Sequence, residues 1–184
     1  MELTITYMLS QIFTVIMYIL LATTYYLKDR KKILILNFLA IVANTVAYIL
    51  LNAWTGLAMN IVALARNVIF VLDENKNGKR ENITRADIII LTVLYMISVI
   101  FAVFTYNGLF SLFSVLATML YTYSVWQKKT KVYKILGIPT CMLWISYNIY
   151  IMSIFGIVLE SVLLICSIIG YALEIKRANK ENAI

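Results

Sequence analysis

A chain of 184 residues that is 62% hydrophobic and only 14% charged, with a mean hydropathy of +0.88, belongs to neither the soluble nor the disordered class. It reads as an integral membrane protein. The formal charge of +7 does not call for nucleic acid, because fifteen of the sixteen Lys and Arg residues fall in alternate connections between apolar segments.

Seven apolar segments of about 20 residues each follow one another at about 3–26, 33–52, 54–72, 87–105, 108–126, 133–152 and 154–174. No alternating strand pattern is present, so an all-α polytopic protein is expected rather than a barrel. Met1 to Phe13 contains no Lys or Arg and no small-residue cleavage pattern follows, so the first segment is kept as a helix rather than a signal peptide. The basic residues cluster at Lys28 to Lys32, Lys76 to Arg85, Lys128 to Lys134 and Lys176 to Lys180. The opposite connections, Asn52 to Thr55, Thr105 to Gly108 and Met152 to Phe155, carry none. This places the N-terminus outside and the C-terminus in the cytoplasm. Asp73 to Arg85 reads as a solvated loop, and the sequon Asn82-Ile83-Thr84 inside it is treated as chance. Trp54, Trp126, Tyr25, Tyr26, Tyr106 and Tyr150 lie at segment ends and are expected as interfacial anchors. Trp144 lies about two turns inside its segment and stands apart from them.

A shift of 100 residues lays the chain on itself: Phe13 on Phe113, Lys28 on Lys128, Lys31 on Lys131 and Gly56 on Gly156. Each copy, roughly 10–72 and 110–172, holds three segments, which alone would leave the two copies inverted. The extra segment restores their orientation, giving a three-plus-one-plus-three arrangement of parallel repeats. The expected divisions are a first bundle over 1–72, a cytoplasmic loop over 73–86, a linker helix over 87–105, a second bundle over 106–175 and a basic tail over 176–184.

Helical spacing sorts the polar residues onto faces. Gly56, Asn60, Ala63 and Asn67 share one face of the third segment, and Gly156, Glu160, Leu163, Ser167 and Gly170 share the matching face of the seventh. Gln11, Thr14 and Tyr18 correspond to Ser111, Ser114 and Thr118, while Asn44 and Tyr48 correspond to Trp144 and Asn148. A single Ser, Thr or Asn on such a face is ordinary hydrogen-bonding glue between helices. Glu160 differs, because an intramembrane carboxylate is costly unless paired, protonated or hydrated, which makes it a functional candidate. Arg66 is a structural or a functional charge, since its long side chain can reach the nearer interface. Its depth puts it in the other half of the bilayer from Glu160, so the two are not expected to pair. Cys141 and Cys166 lie within segments and suit packing rather than a disulfide framework. There is no histidine, HExxH, pair of intramembrane aspartates, Gly-x-Ser-x-Gly or phosphate-cradling glycine loop. No catalysis, metal or cofactor is expected.

The layout, with Trp144 followed sixteen residues later by Glu160 and Asn44 likewise followed by Asn60, resembles the SWEET/MtN3/PQ-loop superfamily of transporters. Gly56 to Phe70 and Pro139 to Leu163 are similar to the bacterial YgjV family of inner-membrane proteins. The first resemblance implies a central pocket lined by the second and third helices of each bundle. Here Asn44 stands at the first Trp position and Glu160 at the second Asn position. Pro139-Thr140 is what remains of the Pro-Gln pair in copy two, with Leu39-Ala40 at the matching place, so gating about Pro139 is expected to be asymmetric.

The leading expectation is a carrier or facilitator in the bacterial inner membrane for a small polar metabolite, sugar-like or vitamin-like, working by alternating access between two bundles. Asn60 and Glu160 would hydrogen-bond the substrate, Trp144 would stack on it, and Asn44 and Asn148 would complete the ring. Glu160 would exchange a proton or face a cationic substrate. The alternative is a non-transporting assembly or sensor protein whose polar faces only hold helices together. One chain supplies both copies, so a homo-oligomer is compatible with the reading and not required by it.

Overall fold

The structure, a computed structural model, describes residues 2–52, 54–77, 84–104, 111–150 and 152–181. These residues form seven helices and no strand: α1 (Glu2–Thr24), α2 (Arg30–Leu50), α3 (Trp54–Asn77), α4 (Arg85–Phe104), α5 (Ser111–Trp126), α6 (Thr130–Tyr150) and α7 (Ile154–Glu181). They divide into two units, Met1–Lys79 and Arg80–Ile184. In the first, α2 packs against both α1 and α3. In the second, α4 packs on α5, α5 on α6 and α6 on α7.

Among the described residues, Ile5–Thr24, Arg30–Leu50, Arg85–Phe104 and Ile154–Asn179 are long and apolar enough to cross a membrane. The sequence led us to expect seven such segments. In α5 the apolar run is shorter, Leu112–Trp126, while α3 and α6 carry the polar and charged side chains described below. Met96, Val103, Ile154 and Val158 are exposed, as suits a chain whose outer surface meets lipid. Small residues such as Ala40, Ala47 and Ala117 are fully buried and let neighbouring helices approach closely.

The helix ends are set by local chemistry. Asp29 caps α2, its carboxylate accepting from the Lys31 N–H at 2.9 Å. Before α4, Thr84 and Asp87 form a reciprocal box: the Thr84 N–H donates to Asp87 Oδ2 at 2.7 Å, and the Asp87 N–H to Thr84 Oγ1 at 3.4 Å. The sequon's Thr84 is thus a capping residue, while Asn82 and Ile83 lie outside the described residues. At the opposite ends, α2 and α6 stop the same way. Asn52 and Met152, matched in the two copies, both have positive φ, 54° and 55°. After α6 the Met152 N–H reaches Ile149 O at 3.1 Å and the Ser153 N–H reaches Asn148 O at 2.9 Å, the Schellman pattern.

Three expectations are corrected. The loop expected from Asp73 is helical as far as Asn77, with residues 78–83 outside the described set, and the tail expected from 176 is helical as far as Glu181. The first extension carries Glu74, ion-paired with Arg30 of α2, and the second follows directly on Glu174, which is tied to Lys134 and Thr130 of α6. Tyr25 is not an interfacial anchor, because the turn after α1 leaves it only 3% exposed, while its neighbour Tyr26 is exposed. Tyr150 is exposed, Trp126 stacks at a tilt 5.7 Å from Tyr123, and Tyr106 and the Trp54 side chain lie outside the described residues. Residues 105–108, expected as an outer connection, lie there too.

Candidate functional site

Hydrogen bonds fix how α2 lies against α3. Arg30 Nη1 is ion-paired with Glu74 Oε2, and Asn44 Nδ2 donates to Asn60 Oδ1 at 3.4 Å. Arg30 and Asn44 are fourteen residues apart on one helix, and Glu74 and Asn60 are fourteen apart on the other. Fourteen residues are close to four helical turns, so each set lies nearly along one face. Midway between the two contacts, the register places Asn37 opposite Asn67, and both are fully buried. Copy one therefore has three polar rungs between its second and third helices, each about 10 Å from the next.

Copy two repeats the outermost rung with different side chains. Thr130 Oγ1 donates to Glu174 Oε1 at 3.0 Å, as far apart in sequence as Arg30 and Glu74. The positive charge has moved one turn along the helix, to Lys134, whose Nζ lies 2.6 Å from Glu174 Oε2. Lys134 is 0% exposed, and its carbonyl accepts from Ser167 Oγ at 2.7 Å. Gly137 and Ser167 stand where copy one has Asn37 and Asn67. Trp144 and Glu160 stand where it has Asn44 and Asn60.

The residues expected to form a site divide accordingly. Asn44 and Asn60 are brought together, and Asn60 Nδ2 also donates to Thr45 Oγ1 at 3.4 Å. Glu160 is buried, 8% exposed. Asn148 lies directly on α7, one turn from Glu160: a Cβ added to Gly156 would come 2.4 Å from Asn148 Oδ1 and 2.8 Å from Ser153 Oγ. The glycine is what gives Asn148 its place. Trp144 is half-buried and meets Tyr147 edge to face, with ring centroids 5.9 Å apart. Arg66 is buried rather than extended into solvent, and it sits about 100° around α3 from the Asn67 face. Pro139 lies inside a continuous α6 and leaves Ile135 O without its helical donor, whereas copy one has Leu39 there.

Several hydroxyls expected on converging faces are used locally. Thr14 donates to Ser10 O at 2.9 Å and Thr118 to Ser114 O at 2.8 Å, so both satisfy their own helices. Thr24 and Ser124, matched in the two copies and both buried, likewise donate three residues back, to Leu21 O and Tyr121 O. The residues that sequence reasoning missed are Arg30, Asn37, Glu74, Thr130, Lys134 and Glu174. Their signal was available, because Glu74 and Glu174 coincide in the repeat and each lies 44 residues after its partner.

Asn44 and Asn60 in the first unit offer an amide pair, and Trp144 and Glu160 in the second offer an aromatic ring and a carboxylate at the positions matched by the offset of 100 residues. The model of a family described as a bacterial inner membrane protein, Imp-YgjV, matches residues 8–177. No curated protein and no solved structure matches the chain.

Proposed function

We propose that this chain, which belongs to the Imp-YgjV family of bacterial inner membrane proteins, is a carrier or facilitator for a small polar metabolite. The observation that supports it is Glu160: a carboxylate buried in an apolar helix, at the repeat position where copy one has the hydrogen-bonded Asn60. Ionisable groups within membrane helices are rare, because taking a charge out of water is costly, and those present mark substrate or ion pathways.

In this reading the two copies rock in turn about the solute. Asn60 and Glu160 hold its hydroxyl or amine groups, Trp144 covers its flat or apolar face, and Asn44 and Asn148 orient the two primary contacts. Pro139 loosens α6 in one copy alone, so the two halves yield unequally. The basic ends of the helices face the cytoplasm, with the N-terminus outside. The activity is transport without chemical conversion, and the partners are the solute and the lipid bilayer.

A scaffold or sensor reading has one observation in its favour: Asn60 already bonds Asn44 and Thr45 within its own copy, which suffices to hold α2 to α3. The two readings separate in thermal unfolding of the purified protein against sugars, vitamins, nucleosides, amines and amino acids at two pH values. Transport requires a ligand that stabilises the native protein and not Glu160→Gln. Absence of stabilisation across the panel, with Glu160→Gln folding normally, favours the scaffold.

A further inference from the structure

Asn67 is 0% exposed, yet neither its Nδ2 nor its Oδ1 has a hydrogen-bond partner among the described residues. Buried side-chain amides are almost always satisfied, and an orphaned pair of donor and acceptor atoms marks a place where something else binds. Its surroundings are polar in one direction, because the register of α2 against α3 sets Asn37 opposite it. The two rungs on either side close directly, through Arg30 with Glu74 and Asn44 with Asn60.

The geometry points to a buried water site between Asn67 and Asn37, built into copy one and closed in copy two. A water molecule offers two donors and two acceptors, and it occupies protein interiors where two to four polar partners converge. Asn67 supplies an acceptor and a donor, and Asn37 presents a second amide from across the seam. In copy two the equivalent place has no need of water. Gly137 brings no side chain, and Ser167 Oγ is already occupied by Lys134 O at 2.7 Å.

The water makes the middle rung a third polar contact between α2 and α3, beside Arg30–Glu74 and Asn44–Asn60. This holds whether or not the protein transports a solute.

Proton-detected solid-state NMR of the whole protein in lipid bilayers, with 15N-labelled asparagine, tests it. The Asn67 side-chain amide is expected to show magnetisation transfer from water. That signal identifies itself by disappearing in Asn67→Ser, which installs the copy-two residue, and in Asn67→Leu. Asn60 is expected to correlate with its protein partners instead. An Asn67 amide that receives no transfer from water, or that shows a direct hydrogen bond to Asn37, overturns the site. Sequential assignment from the Asn67 backbone to its side chain identifies the same signal in the native protein, so a variant that fails to fold does not remove the test.

Discussion

Lys134 and Glu174 form an ion pair at 2.6 Å in which the lysine is fully buried, although the matching position in copy one is Leu34. The acid is the same in both copies and the base has moved by one helical turn. Charge pairing survived the divergence, whereas the residue that provides it did not.

Glu174→Gln leaves the Lys134 ammonium buried without an opposite charge. A loss of about 3–5 kcal/mol of stability is expected from breaking one side of a buried pair. Thr130→Arg with Lys134→Leu copies the arrangement of Arg30 and Leu34 and should retain most of the native stability. Thermal unfolding in detergent checks both, and equal stability of Glu174→Gln and native protein would contradict the pairing.

Met152 adopts the left-handed backbone that Asn52 adopts in copy one, at φ of 55° and 54°. That conformation costs a residue with an ordinary Cβ about 1–2 kcal/mol, and asparagine tolerates it better. Met152→Asn should therefore raise the melting temperature, and Asn52→Met should lower it.

Gly156→Ala puts a Cβ within 2.4 Å of Asn148 Oδ1. The amide must swing away or α6 must shift, at an expected cost of about 1–3 kcal/mol. Asn148→Ala in the same chain removes the clash and should recover most of that loss. If Asn148 positions Glu160, ligand stabilisation falls in Gly156→Ala and stays low in the double variant, where folding has recovered.

Lys129 occupies in copy two the place of the Asp29 cap. Lys129→Asp supplies an acceptor for the first free N–H groups of α6 and should add about 1 kcal/mol. Asp29→Ala should remove a similar amount from α2. Hydrogen exchange at the first turn of each helix reads the two changes separately.

The offset of 100 residues was legible because glycines, basic clusters and polar positions recur at it; that Asn44 and Asn60 bond each other across α2 and α3 was not part of that reading. Nor were the rungs beneath that pair. Asp73 and Lys176 look like the start of solvated chain, so Glu74 and Glu174 were assigned to a loop and to the boundary of a tail. Helix periodicity also says which side chains share a face and nothing about where their hydroxyls turn. Thr14 and Thr118 bond their own carbonyls, a choice made by the local backbone. Tyr25 was misjudged for a related reason: a short turn, rather than its place at a segment end, decides that its ring is buried.

The α6–α7 pair is joined at one end by a tight left-handed turn and at the other by Lys134, Thr130 and Glu174. Two rods fastened at both tips cannot slide past each other without breaking one fastening. Any large displacement of these two helices must then carry both along together, bending where Pro139 loosens α6 rather than sliding one past the other.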